Sequence, residues 1–423
     1  MDRFLRTVKT PTARSTAIYY FGNFILNVGR YLFHLILLRL LSTGEYGEFL
    51  SYLSLTYLLG IPMGTVASVV TKYVAEFKGR GDDRSINHFF YFLIKKVSPV
   101  TFTLGILLIL LAQPLAGLFK AHSIAFIVLG ISMFITLFQT IVGSYLAAFQ
   151  KFILQTATGY ISVFLTIVFS VVFINLHMGA TGAVLGQLLA GLVVTAIVFI
   201  NIKSSIFPEQ KGKEDFRIDL AGFTGYSLLF AFGSMSLIST DILLVRYLFD
   251  PVSSGLYSSL SILGRMIFFG LSPLTALALP IASHRYAARG NATSVFLKLG
   301  SVLLLFGLIG AGIFSLFPSL IVRILAGSSY LAEASLLPIF AFAMMFFALN
   351  QFVISYLMAI GRPQANLLFL LATISQPVLI FILHTSLSLV IWSNLSIQII
   401  LLLSLLVFLF VTNSTKSASV KSN

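Results

Sequence analysis

Uninterrupted apolar runs well over about 18 residues long recur from Thr16 almost to the end of the chain, and they leave a lipid bilayer as the environment in which it can fold. Only 9% of the 423 residues are charged, against about 25% in ordinary soluble domains, so the chain cannot cover a water-facing surface with charge. That excludes a soluble enzyme, a disordered protein and a disulfide-stapled secreted domain. An outer-membrane barrel would alternate apolar and polar residues in short segments, which these runs do not do. Backbone groups in hydrocarbon must be satisfied within their own segment, so each span is expected to be a helix. The expected fold class is all-α, a polytopic membrane protein.

Hydropathy places twelve spans, near 16–40, 48–71, 97–118, 123–149, 152–176 and 182–202, then 221–248, 256–282, 296–317, 335–359, 365–384 and 389–412. Lys and Arg gather in cytoplasmic loops. With the N-terminus inside, the inner segments carry 21 of them, and the outer segments carry only Arg39, Lys120, Arg246 and Arg323. Both termini are therefore expected in the cytoplasm, and the net charge of +14 reads as topology rather than as a nucleic-acid surface. No cleavable signal peptide is expected, because the first apolar run is long and lacks a small-residue cleavage site behind it. The absence of cysteine excludes disulfides, thiolate metal sites and cysteine nucleophiles.

The chain also repeats itself. Arg39 is answered by Arg246, Gly47-Glu48-Phe49 by Gly255-Leu256-Tyr257, and Arg80-Gly81-Asp82 by Arg289-Gly290-Asn291. Ser144-Tyr145-Leu146-Ala147-Ala148 is answered by Ser355-Tyr356-Leu357-Met358-Ala359, so the offset drifts only from 207 to 211. The expected organisation is two pseudo-symmetric six-helix lobes, 1–210 and 211–423, joined by a mixed-charge linker around 203–220. Six is an even number, so the lobes share one orientation, the parallel-repeat arrangement of many secondary transporters. Ancient duplication without a surviving cleft is the plain alternative.

Polar residues within spans are costly, at about 2.5–3.5 kcal/mol for a charge at mid-bilayer, and they call for a partner or water. Asn23, Asn27, Arg30 and His34 follow one another at steps of four, three and four, which confines them to one face of the first span. In the seventh span Ser227, Ser234 and Asp241 stack seven residues apart, and the offset of 207 sets Ser234 against Asn27 and Asp241 against His34. Ser258, Ser261, Arg265 and Ser272 share a face of the eighth span. The milder stripes Ser132, Thr136, Gln139 and Gln155, Ser162, Thr166 read as helix-packing contacts. Asp241 is the only acid deep in a span and can neutralise one of Arg30 and Arg265, which leaves the other for a lumen or a ligand. Asp241 itself is a candidate protonation or sodium site, and the plain reading of His34 is a satisfied packing histidine. Guanidinium keeps its charge and grips phosphate in a bidentate way, so a cleft lined by such groups suits an anionic substrate.

The segment LLRLLSTGEYGEFLSYLSL (Leu37 to Leu55) resembles the element after the first span of oligosaccharide flippases. These form the polysaccharide biosynthesis (Wzx-type) family of the multidrug/oligosaccharidyl-lipid/polysaccharide exporter superfamily. Its second copy, Asp241 to Arg265, is similar to that family's D-x-x-[LIM]…G-x-Y stretch, and SYLAAFQKF, NLHMGATGAVLG and AIGRPQAN are similar to its later loops. The resemblance spans nearly the whole chain. It implies two six-helix lobes that open alternately to either side. It also implies a polyprenyl-pyrophosphate-linked oligosaccharide as cargo, moved across the cytoplasmic membrane for surface polysaccharide biosynthesis. Arg30 and Arg265 fit the family's cationic cavity lining. The spans are fewer than those of the related peptidoglycan-precursor flippases, which sets lipid II aside as the expected cargo.

The expected site residues are therefore Arg30, Arg265, Asn23, Asn27, His34 and Ser234 for substrate, with Asp241 for cation coupling. No enzyme, metal or cofactor signature is present: there is no H-E-x-x-H and no G-x-x-x-x-G-K-[ST]. A multidrug exporter of the same superfamily and a membrane-embedded glycan polymerase or ligase are the competing classes. The expected partners are the lipid-linked oligosaccharide, membrane lipids, and the glycan polymerase or glycosyltransferases of the same pathway, with no nucleic acid.

Overall fold

A computed structural model of the chain describes residues 11–207, 221–288 and 292–421. The chain divides into two compact units, Met1–Leu220 and Ala221–Asn423. The expected boundary at 210/211 falls in 208–220, outside the described residues. Among the described residues there is no strand.

The first unit contains α1 (Pro11–Leu40), α2 (Thr43–Leu59), α3 (Ile61–Gly79), α4 (Asp83–Leu110), the short α5 (Ala112–Leu118), α6 (Ser123–Ala148), α7 (Phe152–Phe173) and α8 (Gly179–Ile206). The second contains α9 (Ala221–Leu248), α10 (Pro251–Ala287), α11 (Ala292–Leu316), the short α12 (Pro318–Leu325), α13 (Leu337–Ala359), α14 (Asn366–Ile382) and α15 (Leu387–Lys421). α2 and α3 form one span bent by 47° at Gly60, where Pro62 opens the second half. α7 and α8 are two spans of a hairpin turned by His177 (φ +62°) and Gly179 (φ +51°). With α1 as the lead helix and the bent pair taken as one span, the described residues supply six spans in each unit and twelve in all. The bend at Gly60 was not expected from hydropathy, which is blind to a break between two apolar segments.

Packing order repeats between the units. In each, the fourth span (α6 or α13) lies against the second, third and sixth, and the first span lies on the fifth. Both central helices accordingly bury much of their surface, α13 the most. Local chemistry repeats as well. Ser42 caps α2 in a capping box with Glu45, and Asp250, 208 residues later, caps α10 through the N–H groups of Val252 and Ser253. α6 ends at Gln150 (φ +55°), with Lys151 N–H donating to Leu146 O. α13 ends in the same way at Gly361 (φ +77°), with Arg362 N–H donating to Leu357 O. The short helices α5 and α12 each follow a third span. Of the sequence matches, Arg289-Gly290-Asn291 lies outside the described residues.

Hydrogen bonds from Ser253 hold the Asp250 carboxyl below the usual carboxylate range, and those from Ser85 do the same for Asp82, which caps α4. A depressed carboxyl stabilises the fold above its unfolded pKa, near 4, and loses that contribution as pH falls through the folded value. Asp250→Ala is expected to cost about 1 kcal/mol at neutral pH, as cap removal does elsewhere. Asp250→Asn, which caps without titrating, is expected to flatten the loss of stability below about pH 4. Thermal unfolding of the purified protein at a series of pH values checks both.

Candidate functional site

In the first unit, α1 docks on α7 at close range because glycines face the contact. A Cβ on Gly29 would meet Val163 Cγ1 at 3.0 Å, and one on Gly159 would meet Leu26 Cδ1 at 2.7 Å. Beside this contact lies a cavity of about 210 Å³, whose polar lining comes from Arg30 and His34 of α1, Tyr57 of α2, Ser162 and Thr166 of α7, and Gln187 of α8. Phe33, Leu53 and Val163 supply the apolar remainder, so no carboxylate is among the lining residues. Arg30 is exposed on the unit, and its Nη1 donates to Asn27 Oδ1 at 3.5 Å. His34 is buried, with Nδ1 3.2 Å from the Tyr46 hydroxyl and its ring among Phe33, Tyr46 and Phe49. The aromatic ring of neighbours fixes the imidazole while one edge still borders the cavity.

The second unit holds a different arrangement, a polar cluster in its interior. Asp241 of α9 is 2% exposed, and its Oδ2 accepts from Tyr257 Oη of α10 at 2.7 Å and from Asn394 Nδ2 of α15 at 3.4 Å. Asn394 Nδ2 also reaches Tyr257 Oη at 2.7 Å, and its Oδ1 accepts from Gln376 Nε2 of α14 at 2.9 Å. Arg265 is 3% exposed, interacts electrostatically with Asp241, and donates a guanidinium N–H to the Ile238 carbonyl. Asp241 Oδ1, Gln376 Oε1 and Arg265 Nε carry no hydrogen-bond partner. Buried polar atoms are nearly always paired, so these three positions are open to a further hydrogen-bond partner.

The structure thus separates the expected site residues. Arg30 and His34 border one cavity, with Asn27 beside Arg30. The Asn23 side chain lies outside the described residues, as does that of Ser227. Ser234 is buried, accepting from Gln351 Nε2 at 2.8 Å and donating to Phe230 O at 2.6 Å. Arg265 is buried in the same unit as Asp241, close enough for an electrostatic interaction but with its guanidinium on the Ile238 carbonyl, and no acid is among the residues lining the Arg30 cavity. Ser162 and Thr166, expected as packing contacts, form part of the cavity wall. Gln187, Gln376 and Asn394 were not singled out from sequence. Each is an amide within an apolar span, where a polar side chain is costly, and that cost is the signal that would have found them.

The described residues thus form a polytopic helical protein of two six-span units, with a cation-bordered cavity in one and a buried carboxylate in the other. Solved structures share this fold. An inward-facing multidrug resistance MATE family transporter of the MOP superfamily superposes with a TM-score of 0.67 at 15% identity, covering 90% of this chain and 96% of that one. The lipid II flippase MurJ in an inward closed conformation gives 0.68 at 16% identity, covering 93% and 87%. An outward-facing MATE transporter gives 0.58 at 14%, covering 96% and 94%. No protein-family model matches the sequence, and no curated sequence is detectably similar to it.

Proposed function

We propose that the chain is a flippase of the MOP superfamily that carries a polyprenyl-pyrophosphate-linked oligosaccharide across the cytoplasmic membrane. The observation that carries this reading is the charge of the first unit's cavity: Arg30 and His34 border it, and no carboxylate is among its lining residues. A guanidinium held at the edge of a small polar cavity with no acid in its lining favours a phosphate head, whereas a cationic drug would meet repulsion there. The Ser162, Thr166 and Gln187 side chains offer neutral hydrogen bonds of the kind that sugar hydroxyls use. Energy for the cycle enters at Asp241, whose unpaired Oδ1 takes up a proton or a monovalent cation, with Arg265 beside it tuning that affinity.

Complementation of a flippase-deficient strain tests the proposal. Arg30→Ala is expected to lower surface glycan by tenfold or more at unchanged protein level, in keeping with the loss of about 1.5–3 kcal/mol from a charge-assisted contact. Arg30→Lys is expected to retain part of the activity, because it keeps the charge but not the fork. Normal glycan with Arg30→Ala overturns the assignment. The MATE-like fold is shared with multidrug exporters, so drug susceptibility is to be measured in the same strains. Drug resistance that depends on the chain, without glycan rescue, identifies an exporter.

A further inference from the structure

One helix face outside both polar centres carries a pattern that neither uses. On α4, Arg84, His88, Tyr91 and Lys95 follow at steps of four, three and four, which sets them within an arc of about 60°. Opposite them Ile86, Phe89, Phe90 and Leu93 are buried in the unit's core. The basic face therefore points away from the core, with Arg84, Tyr91 and Lys95 exposed and His88 half-buried. Lys96, one position on, is exposed as well.

Further along α4 the same face changes character. Phe102 and Ile106 fall in the arc that held the cations, followed one turn later by Leu110, and all three are exposed (52%, 47% and 71%). Large apolar side chains so exposed on a spanning helix meet acyl chains. The switch from Lys95 to Phe102 therefore fixes the headgroup level on this face, at the side that the Lys and Arg distribution assigns to the cytoplasm. A basic, Tyr-flanked head above an apolar track matches one class of molecule, a phospholipid with an anionic headgroup. The nearby carboxylates are engaged elsewhere: Asp83 pairs with Lys78 at 3.1 Å, Glu76 with Arg80, and Asp82 receives the Ser85 N–H at 3.0 Å. The corresponding helix of the second unit, α11, carries Lys298 as its one cation.

We infer that the exposed face of α4 binds an anionic phospholipid of the cytoplasmic leaflet, with Lys95 and Lys96 at the phosphate, Tyr91 at the interface and Phe102, Ile106 and Leu110 along the acyl chain. The site belongs to the first unit alone. It is independent of the cargo, so its failure would leave the flippase reading untouched.

Native mass spectrometry of the full-length protein, delipidated and titrated with phosphatidylglycerol or with phosphatidylcholine of the same acyl chains, tests the site. The unmodified protein is expected to prefer phosphatidylglycerol. Lys95→Gln with Lys96→Gln is expected to weaken phosphatidylglycerol binding by roughly 25-fold, about fivefold per cation, and to leave phosphatidylcholine binding unchanged. Lys95→Arg with Lys96→Arg is expected to keep the preference, and Lys298→Gln to change it less than about twofold. Raised salt on the unmodified protein, which needs no substitution to fold, is expected to erode the preference. Four results each overturn the inference: equal binding of the two lipids by the unmodified protein, a preference surviving in the glutamine double variant, an equal loss with Lys298→Gln, or displacement of the lipid by inorganic phosphate.

Discussion

Asp241→Leu is expected to destabilise the second unit by about 1–3 kcal/mol, the cost of leaving buried hydrogen-bond donors without their acceptor. The Arg265 guanidinium would remain 3% exposed with the Ile238 carbonyl as its acceptor. Tyr257 and Asn394 would lose the carboxylate oxygen to which both now donate. The double variant Asp241→Leu/Arg265→Met is expected to recover part of the loss, because it also removes the buried guanidinium that the lost carboxylate had helped to balance electrostatically. Asp241→Asn separates stability from coupling. It keeps an acceptor for Tyr257 and is expected to fold, while transport in proteoliposomes loses its response to an imposed proton or sodium gradient. Thermal unfolding followed by fluorescence of the single Trp392 reads the first two variants, and flux measurements read the third. A double variant as unstable as Asp241→Leu alone would show that the charges are not coupled.

The spans were legible because about 20 apolar residues in succession admit one backbone solution in lipid. Most helix ends fall within about five residues of the hydropathy limits, and even the short turn near 384–388 is there, between Ile382 and Leu387. The cytoplasmic ends extend further, as in α4, which begins at Asp83 and not near 97, since amphipathic turns can continue beyond the hydrocarbon. The candidate site was legible only in part. Helical phase told which residues share a face but not what that face meets. Arg30 and Arg265 looked alike in sequence, each a lone cation in a polar stripe. One proves to border a cavity, and the other is packed into a cluster whose other members come from α9, α10, α14 and α15. Asn394 and Gln376 lie 153 and 135 residues beyond Asp241, and no local pattern announces a contact over such a distance. Ser162 and Thr166 were discounted for the converse reason. Hydroxyls within a span commonly satisfy themselves on the preceding turn, and only the approach of α1 turns that face into a wall.

Gly186→Ala is expected to be far more damaging than a single methyl group suggests, because it falls where the arms of the α7–α8 hairpin touch backbone to backbone. A Cβ at Gly186 would lie 2.7 Å from the Ser170 Cα, and backbone cannot swing aside as a flexible side chain can. Ser170 is itself fully buried, with Oγ donating to the Ala183 carbonyl at 3.1 Å, so the two helices are joined at this level by more than apolar contact. Forcing them apart costs about 1–3 kcal/mol by the general scale of overpacking, and Gly186→Val is expected to exceed that. The displacement would also reach the cavity, since Gln187 is the next residue on α8, and Ser162 and Thr166 stand on α7. Gly143→Ala is the matched comparison: a Cβ there meets nothing within 4 Å, and the substitution is expected to be neutral or stabilising by about 0.5–1 kcal/mol. Opposite signs for the same change at two helix-interior glycines, measured by thermal unfolding and by surface glycan in complemented cells, would tie the loss of function to helix separation. Equal effects at both positions would show that glycine's backbone freedom, and not the α7–α8 contact, decides the outcome.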